Sequence, residues 1–143
     1  MLDPIASKTA LRSLFHRAQV AQLGTLFRVL KTRARRSVMR RLKCEDYLSS
    51  YTHTGRYYTL RKIARFDQFG LWHYGDVGFC RVGTLKAAVT ELVEKSEAGR
   101  TLEELKDLLR VRVHNALLDR VRAKRIGRKL MDKKKWVYLS AKA

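Results

Sequence analysis

The residues best placed to do chemistry in this chain lie at 31–43, which read Lys-Thr-Arg-Ala-Arg-Arg-Ser-Val-Met-Arg-Arg-Leu-Lys. Wound as a helix at about 100° per residue, this stretch puts Val38 and Leu42 on one face. Arg36, Arg40 and Lys43 fall roughly opposite, with Arg33 and Ser37 on that side near the start. Guanidinium and ammonium groups are donors without acceptors, so such a face can hold phosphates and, through bidentate arginine, base edges. Taken alone, the segment also fits the solvated basic face of an ordinary surface helix. The hairpin pattern on its C-terminal side tilts the reading toward binding. Leu48–Tyr51 and Arg56–Leu60 are β-prone and joined by Thr52-His53-Thr54-Gly55, where Gly55 can take the positive φ of a tight turn. The tip offers His53, Thr54 and Arg56 to a nucleic-acid backbone or minor groove.

Bond-making chemistry has no comparable signal. There is no Gly-rich phosphate loop followed by Lys-Ser/Thr, no serine elbow and no His-Glu-x-x-His. Asp67 and Asp76, beside His73, are the one acid/His grouping of the middle segment, and they are expected as turn residues rather than nuclease ligands. Cys44 and Cys80 are isolated and are expected as thiols, and no spacing joins them to His16, His53, His73 or His114 in a metal site. No catalytic residue, metal or cofactor is expected, and the chain is read as a binder rather than an enzyme.

Composition bounds the partners. The net charge is +19, from 32 Lys/Arg against 13 Asp/Glu. Residues 1–60 carry 12 basic against 3 acidic side chains, residues 61–100 carry 7 against 5, and residues 101–143 carry 13 against 5. Two basic lobes flank a nearly neutral middle, so the charge belongs to two surfaces, each attractive to polyanions. An apolar content of 45%, with 2 Trp, 6 Tyr and 5 Phe, argues for a folded core rather than disorder. The N-terminus has no signal-peptide pattern and no 18-residue apolar run occurs, so no membrane segment is expected and cytoplasm or nucleoid is the natural address.

The elements that must position the basic face can be read around it. Leu11, Leu14 and Phe15 mark a helix over 5–18, and Leu23, Leu26, Phe27 and Leu30 a second over 22–30. Lys31-Thr32-Arg33 is the turn, with Thr32 the expected N-cap of the basic helix. Tyr57 and Tyr58 alternate across the second strand, so only one is expected in the core. Between Phe66 and Phe79, aromatic residues interleave with glycine. This is expected as a domain interface, the alternative being a stacking platform for single strands.

The second half repeats the order more faintly. Thr84 opens an amphipathic helix through Leu85, Ala88, Val89, Leu92 and Val93. Thr101 and Glu104 form a capping box before Leu105, Leu108 and Leu109. Arg110–Arg112 is a second turn, and 113–123 a second basic helix with Leu117, Leu118 and Val121 as its core face. Its front holds Arg112, Asn115, Asp119 and Arg122. Asp119 would repel phosphate, and a pair with Arg122 is expected to neutralise it. Most basic charge comes after the helix, at Lys124, Arg125, Arg128 and Lys129 and at Lys133, Lys134 and Lys135 before the strand Trp136–Leu139.

A polar turn, a basic amphipathic helix and a hairpin is the linear order of a winged helix-turn-helix. The stretches TRARRSVMRRLK, YLSSYTHTGRYYTL, GLWHYGDVGF and GTLKAAVTELVEKS resemble small prokaryotic winged helix-turn-helix proteins in tandem form, some of them transposition-associated. The resemblance spans most of residues 20–140. It implies that the third helix enters the major groove while the wing meets the backbone, which assigns Arg33, Arg36, Ser37, Arg40, Lys43 and the 52–56 tip. Asp119 departs from the pattern in the second unit.

The expected fold is therefore mainly α with small β wings, an α+β chain of two winged helix-turn-helix units. These are residues 1–62 and 83–143, packed through an aromatic connector at 63–82. The expected function is sequence-preferring duplex-DNA binding, as a transcriptional regulator or mobile-element accessory. The DNA-binding set is Arg33, Arg36, Ser37, Arg40, Lys43, His53, Thr54, Arg56, Arg112, Asn115, Arg122, Lys133, Lys134 and Lys135. The alternatives are an RNA- or single-strand-binding module and an adaptor whose second unit docks a partner protein. A palindromic target would imply a homodimer.

Overall fold

A computed structural model describes residues 1–132 and 135–141 of the chain. It is a mixed α+β structure, with six helices and small antiparallel sheets among the described residues. Two units are distinct, Met1–Phe66 with Trp72–Phe79, and Asp67–Leu71 with Cys80–Ala143. The aromatic segment expected as a connector is shared between them.

The first unit runs α1 (Pro4–Ala18), β1 (Ala21–Gln22), α2 (Leu23–Leu30), α3 (Arg35–Cys44), β2 (Tyr47–Ser49) and β3 (Tyr57–Leu60). Asp3 starts α1 by accepting the Ala6 amide at 2.7 Å, and Pro4 fills the first helical position, where a missing N–H costs nothing. Leu11, Leu14 and Phe15 of α1, Leu26 and Leu30 of α2, Val38 and Leu42 of α3, and Tyr58 and Leu60 of β3 make one core. Each fully buried Leu contributes about 1.5–3 kcal/mol to it. The sheet order is β1-β3-β2, with Ala21 and Ser49 on either side of Tyr58.

Lys31 ends α2 in the left-handed region at φ 54°, and the Thr32 amide donates back to the Phe27 carbonyl at 3.1 Å. Thr32 is not the cap of α3. That place belongs to Ala34, and the Thr32 hydroxyl accepts the Ala34 amide at 3.2 Å. Ala34 is the extended residue before the helix, and α3 begins at Arg35, too late for Thr32 to be its N-cap.

A hairpin, β4 (Leu71–Tyr74) and β5 (Val77–Cys80), comes next. Val77 and Phe79 gather with Leu48, Tyr57, Phe66 and Trp72 in a second apolar cluster of the first unit. Tyr58 is buried in the helical core while Tyr57 is half-buried in this second cluster, so both tyrosines pack, contrary to expectation. A small sheet with two covered faces has no wet side to assign. Gly78 permits the approach: the Tyr51 amide donates to its carbonyl at 2.9 Å, and a Cβ there would lie 2.5 Å from the Tyr51 ring. Asp67 is a turn residue, accepting the amides of Phe69 and Leu71 at 2.8 and 3.1 Å.

The second unit runs α4 (Leu85–Glu94), β6 (Arg100–Thr101), α5 (Leu102–Leu109), α6 (His114–Arg122), β7 (Ile126–Asp132) and β8 (Lys135–Ser140), with sheet order β6-β8-β7. This repeats the element order of the first unit, and in both a two-residue strand pairs with the last strand. Thr84 caps α4 through the Ala87 amide, and Thr101 with Glu104 forms the capping box of α5. Arg110 ends α5 in the left-handed region at φ 59°, as Lys31 ends α2. Leu117 and Ala116 are the buried residues of α6, whereas Leu118 and Val121 are only half-buried. No helix of the described residues is long and apolar enough to cross a membrane.

Candidate nucleic-acid interface

The back of α3 is sealed by Val38 and Leu42, both 0% exposed. Its front carries Arg36, Arg40 and Lys43, all exposed, with Ser37 half-buried between them, and exposed Arg33 stands in the turn just before the helix. None of these four cations enters an ion pair among the described residues. Arg41, on the flank, is different: its Nε is buried without a partner. The face is thus a row of unneutralised donors on a rigid element, which is what phosphate and base recognition require.

The β2–β3 connection is a one-turn 3₁₀ helix, His53–Gly55, in which His53, Thr54 and Gly55 all have positive φ. Thr54 and Arg56 are exposed. His53 is placed less freely than its sequence position suggests. Its Nδ1 lies 2.8 Å from the Thr52 hydroxyl, and its Nε2 lies 3.4 Å from the Asp76 carboxylate. With both ring nitrogens engaged, His53 braces the tip, while Thr54 and Arg56 remain its available donors. Thr52, buried beneath, also accepts the Gly78 amide at 3.0 Å and ties the tip to β5.

Between the β2–β3 connection and the helices lies a cleft of about 490 Å³ lined by Gln22, Leu23, Gly24, Arg35, Thr54, Gly55, Arg56 and Tyr58. It brings two guanidinium groups and a helix N-terminus to one place. No side chain caps α2, and its first turn contains no acid. The free amides and the positive end of the helix favour an anion. Arg35 and the start of α2 escaped the sequence reading, because Arg35 is off the arc that the helical angle assigns to the front. The signal available was the lack of any Ser, Thr, Asp or Asn immediately before Leu23.

The second unit has the equivalent cleft, about 480 Å³, with different contents: Thr101, Leu102, Glu103, His114, Arg128, Lys135, Trp136 and Tyr138. Here the helix start is satisfied by its own capping box and carries Glu103 and Glu104. Asn115, Asp119 and Arg122 of α6 occupy the places of Arg36, Arg40 and Lys43. Asp119 does not pair with Arg122. It accepts from Arg120 and, at 3.0 Å, from Lys86 of α4, and these bonds, Arg120 first, hold its carboxyl below its ordinary value. With Arg120 and Lys86 on its oxygens, the Asp119 carboxylate is neutralised from the neighbouring position and from α4 rather than by Arg122. Arg112, Asn115 and Arg122 are exposed, Lys135 is exposed at the start of β8, and Lys133 and Lys134 lie outside the described residues.

The aromatic middle is largely packed. Phe79 is 0% exposed, and Trp72 stacks on it with ring centroids 5.5 Å apart. Tyr74 is the exposed aromatic of the hairpin, at 43%. The His73 ring bonds the Tyr51 hydroxyl at 2.7 Å, and both cysteines are free thiols, Cys80 buried and Cys44 exposed. No group of three or more metal-ligating side chains occurs among the described residues.

Comparison with protein-family profiles, curated proteins and solved structures gave no match to this chain.

Proposed function

We propose that the chain binds nucleic acid, duplex DNA foremost, as a tandem winged helix-turn-helix protein whose first unit is the sequence reader. The observation that carries the reading is the front of α3: Arg36, Arg40 and Lys43 exposed and unpaired on a helix whose opposite side is locked by Val38 and Leu42, with Arg33 exposed in the turn before it. An α-helix fits the major groove, and arginine on such a helix bonds the O6 and N7 of guanine bidentately. The neighbouring cleft would take a backbone phosphate between Arg35, Arg56 and the amides of α2, fixing the register in which α3 reads. The repeated element order, with the short strand paired to the last, supports the winged assignment for both units. A regulator or the recognition partner of a mobile-element enzyme is the role such a reader suits. The packing of Trp72 on Phe79 gives the single-strand stacking alternative little free aromatic surface.

The test is a selection from random duplex DNA at near-physiological salt, with the Arg36→Ala/Arg40→Ala variant in parallel. A motif enriched by the wild type and lost by the variant is expected. Enrichment that survives in the variant, or binding that fades with salt without any motif, would sink the assignment of α3 as reader.

A further inference from the structure

The two units do not offer the same surface, and the ribbon β7–β8 is where the second one differs most. Its strands hold seven and six residues, against three and four for β2 and β3. Its outer part is both basic and apolar. Arg128, Lys129 and Lys135 are exposed, and so are Leu130 at 48%, Met131 at 71% and Trp136 at 39%. Leu130 pairs across the ribbon with Trp136, and Asp132 with Lys135, which leaves Met131 as the extra residue of a bulge. A bulge re-aims a side chain out of the pleat, and this one turns a large apolar group toward solvent. The Arg128 guanidinium lies over the Trp136 ring, 4.3 Å from its centroid, a cation–π contact that joins the basic and apolar parts of the ribbon.

We propose that this ribbon is an arm that enters the minor groove and drives Met131, with Leu130 behind it, between adjacent base pairs, so that the duplex bends around the protein. The arm rests on duplex DNA being the ligand of the chain. Charge selects the occupant: an apolar patch of Leu130, Met131 and Trp136 flanked by cations meets a polyanion, and the apolar surface of nucleic acid lies between its bases. Apolar wedges part base steps from the minor-groove side, and the extra backbone wrapped by the bend offsets the unstacking. The helix front of this unit is poorly suited to share the task, since Asp119 stands where the first unit has Arg40 and Glu103 lines the cleft. The second unit thus deforms the duplex while the first reads it.

The test uses the full chain and a short duplex carrying a dye at each end and 2-aminopurine at successive central steps. Wild type should bring the ends closer and raise 2-aminopurine emission. Leu130→Ser/Met131→Ser should melt at the same temperature and, at protein concentrations that saturate the duplex, leave it straight. Met131→Leu, which keeps a wedge, should still bend it. Wild-type binding without bending, or bending undiminished in the double variant, overturns the arm while leaving duplex binding in place. Failure to bind any duplex removes the functional reading itself, and a preference for single strands that the double variant loses would reassign the ribbon to unpaired bases and overturn the proposal.

Discussion

Removing Arg36 and Arg40 should change how binding responds to salt, by an amount the structure sets. The first unit offers six exposed cations without ion pairs around its interface: Arg33, Arg35, Arg36, Arg40 and Lys43, with Arg56 across the cleft. If each meets one phosphate, log affinity should fall with log salt at a slope of about −5.4, at roughly −0.9 per phosphate. With both arginines replaced by alanine the slope should be about −3.6. Raising salt fourfold would then weaken wild type roughly 2,000-fold and the variant only roughly 150-fold. If the two arginines grip base edges instead, the slope stays and discrimination between the preferred and a scrambled duplex narrows by about 1–3 kcal/mol for each. Fluorescence anisotropy of a labelled duplex across a salt series measures both quantities. The control is Lys8→Ala/Arg17→Ala, which removes the same formal charge from exposed positions of α1. Should the two double variants behave alike in slope and in discrimination, affinity would be following net charge alone, and the reasoning from the front of α3 would be refuted.

Three further outcomes test the frame that holds the interface. Leu42→Ala, at a fully buried position, should cost about 2–5 kcal/mol in a denaturant titration, whereas exposed Arg36→Ala should move the same transition by less than about 0.5 kcal/mol. Gly78→Ala should destabilise the first unit by about 1–3 kcal/mol through the Tyr51 ring, and adding Tyr51→Ala should be less than additive because the clash partner is gone. Asp119→Asn should lower stability at neutral pH. Because the folded carboxyl sits below its ordinary 3.8, its contribution is present above that value and lost as pH falls through the lower folded one. Unfolding curves of variant and wild type should therefore converge as the solution is acidified below about pH 4; a gap that persists there would contradict the Arg120 and Lys86 bonds as the cause.

Much of the site was legible because it is local. Val38 and Leu42 seal α3, and Arg36, Arg40 and Lys43 face outward, because four-residue spacing fixes a helix face whatever the helix packs on. The Thr101–Glu104 capping box, the Thr84 cap and the Asp67 turn likewise involve residues within four positions of one another. What failed was long-range. Lys86 meets Asp119 across 33 residues, and no helical spacing points to it. Tyr57 packs because β4 and β5 cover a face of the sheet that a free-standing wing would leave wet.

By itself, the sequence determined two basic lobes, the faces of the helices, most of the turns and the repetition of one element order, since charge, period and capping are written in neighbouring residues. The tertiary structure alone decided which cations come together. It set Arg35 opposite Arg56 beside an uncapped helix start, engaged both nitrogens of His53, and turned Met131 outward at a bulge. Each of these depends on strand register and on the angle at which one element crosses another, and those are fixed by burying many distant side chains at once.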